Sequence, residues 1–243
     1  MSVRREPARP QRMRIPVTRG AMVLALLEVG ISLLYLFLDE PTRATYADLF
    51  LATPQSVIRE GHVWALVTSW FLEPDFLALV MHVLVLFMFV PTLERFWGTA
   101  RFLRFAAVTS LVGTIAGVLA GYAIGSVPEA QIAGLSAFVN AAIIAFGIIY
   151  AKQAVQFFAV LPLTGKQLMW GYTAFIAAFV LLQQQWALGA AYAAAMLAAA
   201  LMVSKSSPGL VYRKWKVARA KRKLSVLQGG MTAPRKKPDS YLN

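Results

Sequence analysis

The sequence contains no cysteine, which excludes a disulfide framework, an iron–sulfur cluster and a thiolate zinc site. Its two histidines, His62 and His82, are too few for a multi-histidine metal centre. Neither a metal nor any other cofactor is expected. Charge is also scarce: Asp, Glu, Lys and Arg make up 14% of 243 residues, against 58% hydrophobic. A soluble domain of this length needs a charged surface around one core, so the composition places the chain among membrane proteins. Nothing like a small-residue cleavage site separates the Arg-rich start from the first apolar run. The first span is therefore expected to act as its own uncleaved signal.

What is present is a series of apolar runs. Crossing the hydrocarbon core takes roughly 20 apolar residues at about 1.5 Å each. Six stretches qualify: residues 20–38, 76–93, 102–124, 133–150, 168–182 and 187–203. The reading is an all-α polytopic membrane protein, a bundle of six helices. It divides into a basic N-tail (1–19), a membrane domain (20–203) and a basic C-tail (204–243). The fifth run is short and the fourth opens at small residues, so either can begin below the surface where protein satisfies its backbone. The first outer loop, 39–75, is too long for a plain connection. Its mixture of apolar and acidic residues reads as short helices in the membrane interface, with Trp64 and Trp70 at headgroup level.

The charges sort by side. With both tails in the cytoplasm, the N-tail arginines, Arg95, Arg101, Arg104, Lys152, Lys166 and the C-tail cluster all fall inside. Only Arg43 and Arg59 fall outside, together with Asp39, Glu40, Asp48, Glu60, Glu73, Asp75 and Glu129. The positive-inside rule thus favours six spans in a cell inner or plasma membrane, with both termini cytoplasmic. The net charge of +13 is mostly topogenic. Basic runs beside a span sit on anionic lipid rather than on nucleic acid. Residues 211–227 read as an amphipathic helix on that surface, and 229–243 as disordered.

Span three carries Gly113, Gly117, Gly121 and Gly125, a four-residue step that keeps them on one helical face. Such a face lets a neighbouring backbone approach closely. An intramolecular packing stripe is the preferred use and a homodimer face the alternative. Span six, with Gly189 and many alanines, is thin in the same way.

Three residues stand out at membrane depth: Glu28 in span one, His82 in span two and Ser136 at the start of span four. Polar groups there are costly and face a bundle interior or a wet cavity. Ser136 follows Gly134 near helix N-terminal amides, which suit a developing oxyanion; equally, it is a small residue at a helix contact or a local cap. His82 is expected to hydrogen-bond a carbonyl or a neighbour such as Asn140, one turn from Ser136. Glu28 either pairs with His82 or another polar group, or faces water.

Three segments carry a resemblance. The run Gly61-His-Val-Trp64-Ala-Leu-Val-Thr68-Ser-Trp-Phe-Leu72, the run Leu93-Glu94-Arg95-Phe-Trp-Gly98 and the run Gly134-Leu-Ser136-Ala137 occur in this order. They resemble the outer-loop, post-span-two and G-x-S-G segments of the rhomboid superfamily of intramembrane serine proteases. The resemblance covers roughly residues 20–203 and implies a six-span fold with Ser136 in the nucleophile position. It also implies a His base on span six, and a His and an Asn on span two at the oxyanion. Here the base position falls on Trp186 or Ala187, the oxyanion His position holds Ala78 and the Asn position holds His82. The Gly after the serine is Ala137, and the family's Trp-Arg pair is Trp64-Ala65.

A serine hydroxyl without a base stays protonated at neutral pH, and losing a dyad member costs several orders of magnitude in rate. The expectation is a pseudoprotease that binds transmembrane segments of other membrane proteins. The alternative is an active peptidase in which His82 serves as an unusual base for Ser136. A small transporter or channel is a third class; the chain lacks the inverted repeat and paired broken helices of such proteins.

Overall fold

The computed structural model describes residues 18–125, 131–157 and 161–204. The N-tail before residue 18, Glu129, and the basic C-tail with its expected amphipathic and lipid-binding segments lie outside the described residues. The chain divides into one unit over Met1–Val203 and another over Ser204–Asn243.

The first unit is helical and membrane-spanning. Its helices are α1 (Arg19–Leu36), α2 (Glu40–Phe50), α3 (Ala65–Thr68), α4 (Phe76–Met88), α5 (Val90–Trp97), α6 (Thr99–Ile124), α7 (Ser136–Ile149), α8 (Gly165–Gln183) and α9 (Trp186–Val203). Four of them, α1, α6, α8 and α9, are long and apolar enough to cross a bilayer. The pair Ala65–Phe71 and Phe76–Met88, bent by 82°, makes a fifth if counted as one span. The sixth expected span is α7, which has 14 residues and so rises only about 21 Å. It is buried on every side from Ser136 to Gly147. A helix enclosed by protein need not match the thickness of the lipid.

Two expected spans begin or end elsewhere. The run 76–93 is not one helix. It breaks at Phe89, because Pro91 removes an amide donor and its ring crowds the preceding turn. The fourth run starts helically at Ser136 rather than at residue 133, after a tight turn at Gly134. A short antiparallel hairpin, β1 (Ala154–Phe157) with β2 (Leu161–Thr164), connects α7 to α8. Thr164 and Gln167 then close a capping box that starts α8.

The outer loop is built from its own polar groups. The Trp64 indole donates to the Leu49 carbonyl at 2.9 Å, and Thr68 Oγ1 donates to the Phe50 carbonyl at 3.0 Å. Both hold the end of α2. Ala65 is fully buried with Ala52, Val118 and Ile132, and the Ile132 amide bonds the Ala52 carbonyl at 2.9 Å. This bridge fixes the outer loop against the segment leading to α7.

Small residues set the closest helix contact. On α9, Ala187, Ala191, Ala195 and Ala199 form a buried stripe at four-residue steps. They face Gly113, Gly117 and Gly121 of α6. A Cβ at Gly113 would stand 2.7 Å from the Ala137 methyl and 3.1 Å from the Ala191 carbonyl. One at Gly117 would stand 2.9 Å from the Ala191 methyl and 3.1 Å from the Ala187 carbonyl. Gly189, on another face of α9, seats Val180 of α8. Lipid supplies no hydrophobic drive between helices, so this contact area does the holding.

Glu94 secures the other end of the bundle. Its two carboxylate oxygens each accept a backbone amide of α1, from Gly20 and Ala21, at 2.9 Å, and Thr99 Oγ1 donates to it at 2.7 Å. The N-cap residue of α1, Thr18, makes no side-chain cap. Glu94 from α5 therefore does that work from outside the helix, where a negative charge also suits the helix dipole. Burial pushes the Glu94 pKa up, but these hydrogen bonds outweigh it and hold the carboxyl below its ordinary 4.5. The adjacent Arg95 sits in the last turn of α5, and Gly98 closes that helix at φ 78°.

Two outcomes follow. Gly117→Val costs about 1–3 kcal/mol by overpacking, whereas Gly30→Ala on α1, with nothing within 4 Å of the added carbon, does not lower the melting temperature in detergent. Equal loss in both would refute the stripe. For Glu94, a depressed carboxyl stabilises fully above its unfolded value and less as pH falls through the folded one. Melting temperature should therefore drop on acidification below about 4.5, and the Glu94→Gln variant should lack that part of the slope.

Candidate functional site

The polar groups at membrane depth converge on one backbone position, Gly134. This residue adopts φ 59°, a conformation glycine enters without steric cost. Its amide is shared by the carbonyls of Ser69 at 2.8 Å and Leu72 at 3.0 Å. A side chain here would collide with the Glu73 carboxylate and lie 3.0 Å from both Glu28 Oε1 and the His82 ring. Three ionisable side chains from three elements thus close around a glycine two residues before Ser136.

Glu28 is the centre of the group. It is fully buried on α1, and its Oε1 lies 2.7 Å from His82 Nδ1. The same oxygen accepts the Leu135 amide at 2.9 Å. Its second oxygen, Oε2, is buried with no hydrogen-bond partner among the described residues. His82, two turns into α4, also lies 3.8 Å from Glu73 Oε2. Glu73 stands in the bend before α4, where the Ser32 hydroxyl accepts its amide at 2.9 Å. Asp75 caps α4 by accepting the Ala78 amide at 2.7 Å. Two carboxylates and one imidazole are thus drawn together at membrane depth. They do not form a metal site: among the described residues no His, Asp and Glu group has a metal-holding arrangement.

Ser136 is the first residue of α7 and is nearly buried. Its hydroxyl donates to the Ala133 carbonyl at 2.9 Å. The Tyr192 phenol of α9 lies near the same hydroxyl. A phenol with an ordinary pKa of about 10 is a donor at neutral pH and does not take a proton from serine. Asn140, one turn on, donates its amide to the Ser136 carbonyl at 2.7 Å. The expected pairing of Asn140 with His82 does not form: the ring is held by Glu28, and the Asn140 amide by the Ser136 carbonyl. Ala137 packs on Gly113 of α6, which leaves no room for a larger residue after the serine. Trp186 and Ala187 are at the start of α9, with Ala187 turned onto α6.

Sequence reasoning did not assign Glu73, Ser32 or Tyr192 to this site. Tyr192 had a signal, being the only polar side chain in the apolar run 186–203. Glu73 had none, since its neighbours come from α1, α4 and the segment before α7.

The model of a family described as eukaryotic integral membrane protein (DUF1751) matches residues 22–204, which take in every residue of this site. Among curated proteins no sequence matches the chain.

Removing the central carboxylate tests whether the cluster holds the fold. Glu28→Ala strands a buried imidazole and the Leu135 amide, and is expected to cost about 3–5 kcal/mol. Glu28→Gln keeps an acceptor for both and should cost less. Thermal unfolding of the two variants in detergent decides it; indifference to either change would mean that the clasp carries no load.

Proposed function

The chain belongs to this integral membrane family, and on that footing we propose that it is a rhomboid-like membrane protein that binds transmembrane segments of other membrane proteins without cutting them. The observation that carries the reading is the pairing at the site. His82 gives its Nδ1 to Glu28, while Ser136 gives its hydroxyl to Ala133 and meets a phenol on α9. A serine nucleophile needs a proton acceptor at its hydroxyl, and the groups that meet Ser136 here are a carbonyl and a phenol. The outer-loop, Leu93–Gly98 and Gly134–Ala137 segments support the rhomboid-like part of the reading, each doing structural work in this fold.

The binding part rests on the lipid-facing helices. On α8, Trp170, Phe175, Phe179, Leu181 and Leu182 are exposed, as are Phe76, Leu77, Val80 and Met81 on α4. Helix α8 packs on α7 and α9, and α4 on α1 and α5. Both leave an apolar face for a partner helix. In the same reading the positive-inside rule puts both tails in the cytoplasm.

A single reconstitution separates binding from cutting. Wild-type protein in lipid nanodiscs is mixed with a fluorescent single-span peptide and a serine-directed fluorophosphonate. The expected result is peptide bound, peptide intact and Ser136 unlabelled. Cleavage or labelling that disappears in Ser136→Ala would overturn the non-proteolytic reading and make Ser136 a nucleophile. Absence of peptide binding would overturn the partner role.

A further inference from the structure

Away from the site, a cavity of about 480 Å³ opens between the C-terminal half of α1 and the interfacial helix α2. Ile31, Leu34 and Tyr35 form one wall, Tyr46 and Phe50 the other, and Phe71 the floor. Leu34 is 71% exposed, so the groove opens to the surrounding lipid on that side. Its volume falls in the range of small-molecule sites, about 300–1,000 Å³. A transmembrane helix needs a seat about 10 Å wide running along much of the bilayer, and α2 closes this groove at the interface. An acyl chain fits its shape and its apolar lining.

The rim says which lipid. Arg43 lies three and seven residues before Tyr46 and Phe50, on the same face of α2. Its side chain is half-buried, and its Nε is shielded with no acceptor among the described residues. A guanidinium in that state at headgroup level calls for an oxyanion, and the phosphate of a phospholipid is the oxyanion present there. Two carboxylates flank it. Asp39 stands at the N-cap of α2, four residues from Arg43 and within reach of its charge, and Glu40 is in the first turn. A purely anionic headgroup would meet both of them. A headgroup with a phosphate and an ammonium complements all three, because residues four apart on a helix are about 5–6 Å apart. A primary ammonium carries three N–H donors for the carboxylates; a quaternary one carries none.

We infer that the groove between α1 and α2 is a phospholipid site that takes one acyl chain, with the phosphate on Arg43 and a primary ammonium on Asp39 and Glu40, the chemistry of phosphatidylethanolamine. The bound lipid fills the gap between the span and the interfacial helix.

The full-length protein in detergent is offered equal amounts of phosphatidylethanolamine, phosphatidylcholine and phosphatidylglycerol with identical chains, and native mass spectrometry reads what stays bound. One phosphatidylethanolamine is expected to be retained in preference to the other two. Arg43→Gln should lower retention about tenfold, as loss of one charged hydrogen-bonding partner does. Leu34→Trp should displace the lipid by filling the groove, without a loss of melting temperature, since that side chain already faces lipid. Glu40→Gln should weaken the preference over phosphatidylglycerol. Retention of phosphatidylglycerol equal to or above phosphatidylethanolamine in the wild type would overturn the headgroup assignment. Undiminished retention in both Arg43→Gln and Leu34→Trp would overturn the site.

Discussion

The Glu28 carboxylate holds the centre of this protein together. One oxygen binds His82 of α4 and the Leu135 amide before α7, from a fully buried position on α1. In water such a group would be solvated and indifferent. Inside a bilayer each unpaired polar group costs several kcal/mol, so the three elements are bound by the need of each polar group for the others. The conformation of Gly134 is a consequence. The backbone there must pass close to three side chains, and a Cβ would collide with them. The bend before α4 joins the same group through Glu73, which is how a long outer loop comes to be fixed against a transmembrane core.

The two halves of the bundle are held by different physics. Around Glu28 and Glu94 the cohesion is polar and directional, with carboxylates reaching across to amides of another helix. Between α6 and α9 it is steric: glycines face alanines, and dispersion over a close contact replaces the missing hydrophobic drive. The polar contacts specify register, because a carboxylate has few places to go. The small-residue contact supplies area. Their union at Ala137, which adjoins Ser136 and touches Gly113, ties the polar cluster to the packed stripe.

Much of this was legible in the sequence, and the reason differs by feature. Hydropathy marks the membrane helices because the bilayer penalises exposed backbone and charge along a whole span. The four-residue glycine step of α6 is a local pattern, visible without a partner. Glu28 and His82 stand out as ionisable groups in apolar runs. The break at Phe89 was also signalled, by Pro91, but the apolar run through it reads as one span when only composition is weighed. Other features were not legible because they depend on tertiary placement. Glu73 sits among outer-loop acids with nothing local to distinguish it. Glu94 caps a helix through an amide 74 residues earlier in the chain. Asn140 bonds the Ser136 carbonyl, and the His82 ring is held by a carboxylate from a distant helix. The hairpin at 154–164 lies in a connection that the apolar runs do not describe.

Ser136, two residues after Gly134, has structural work to do in this fold. A small polar residue at the first turn of a buried helix has local employment: it satisfies a nearby carbonyl, and its own carbonyl receives Asn140. Those bonds form whatever stands on α9. Helix α7 packs on α9 across the bundle. There α9 presents Tyr192 and a stripe of alanines shaped to fit α6. A basic side chain in that stripe would have to displace the close contact that holds α6 and α9 together. On α9 the alanine stripe that holds α6 and the side that carries Tyr192 toward Ser136 are thus two parts of one helix surface.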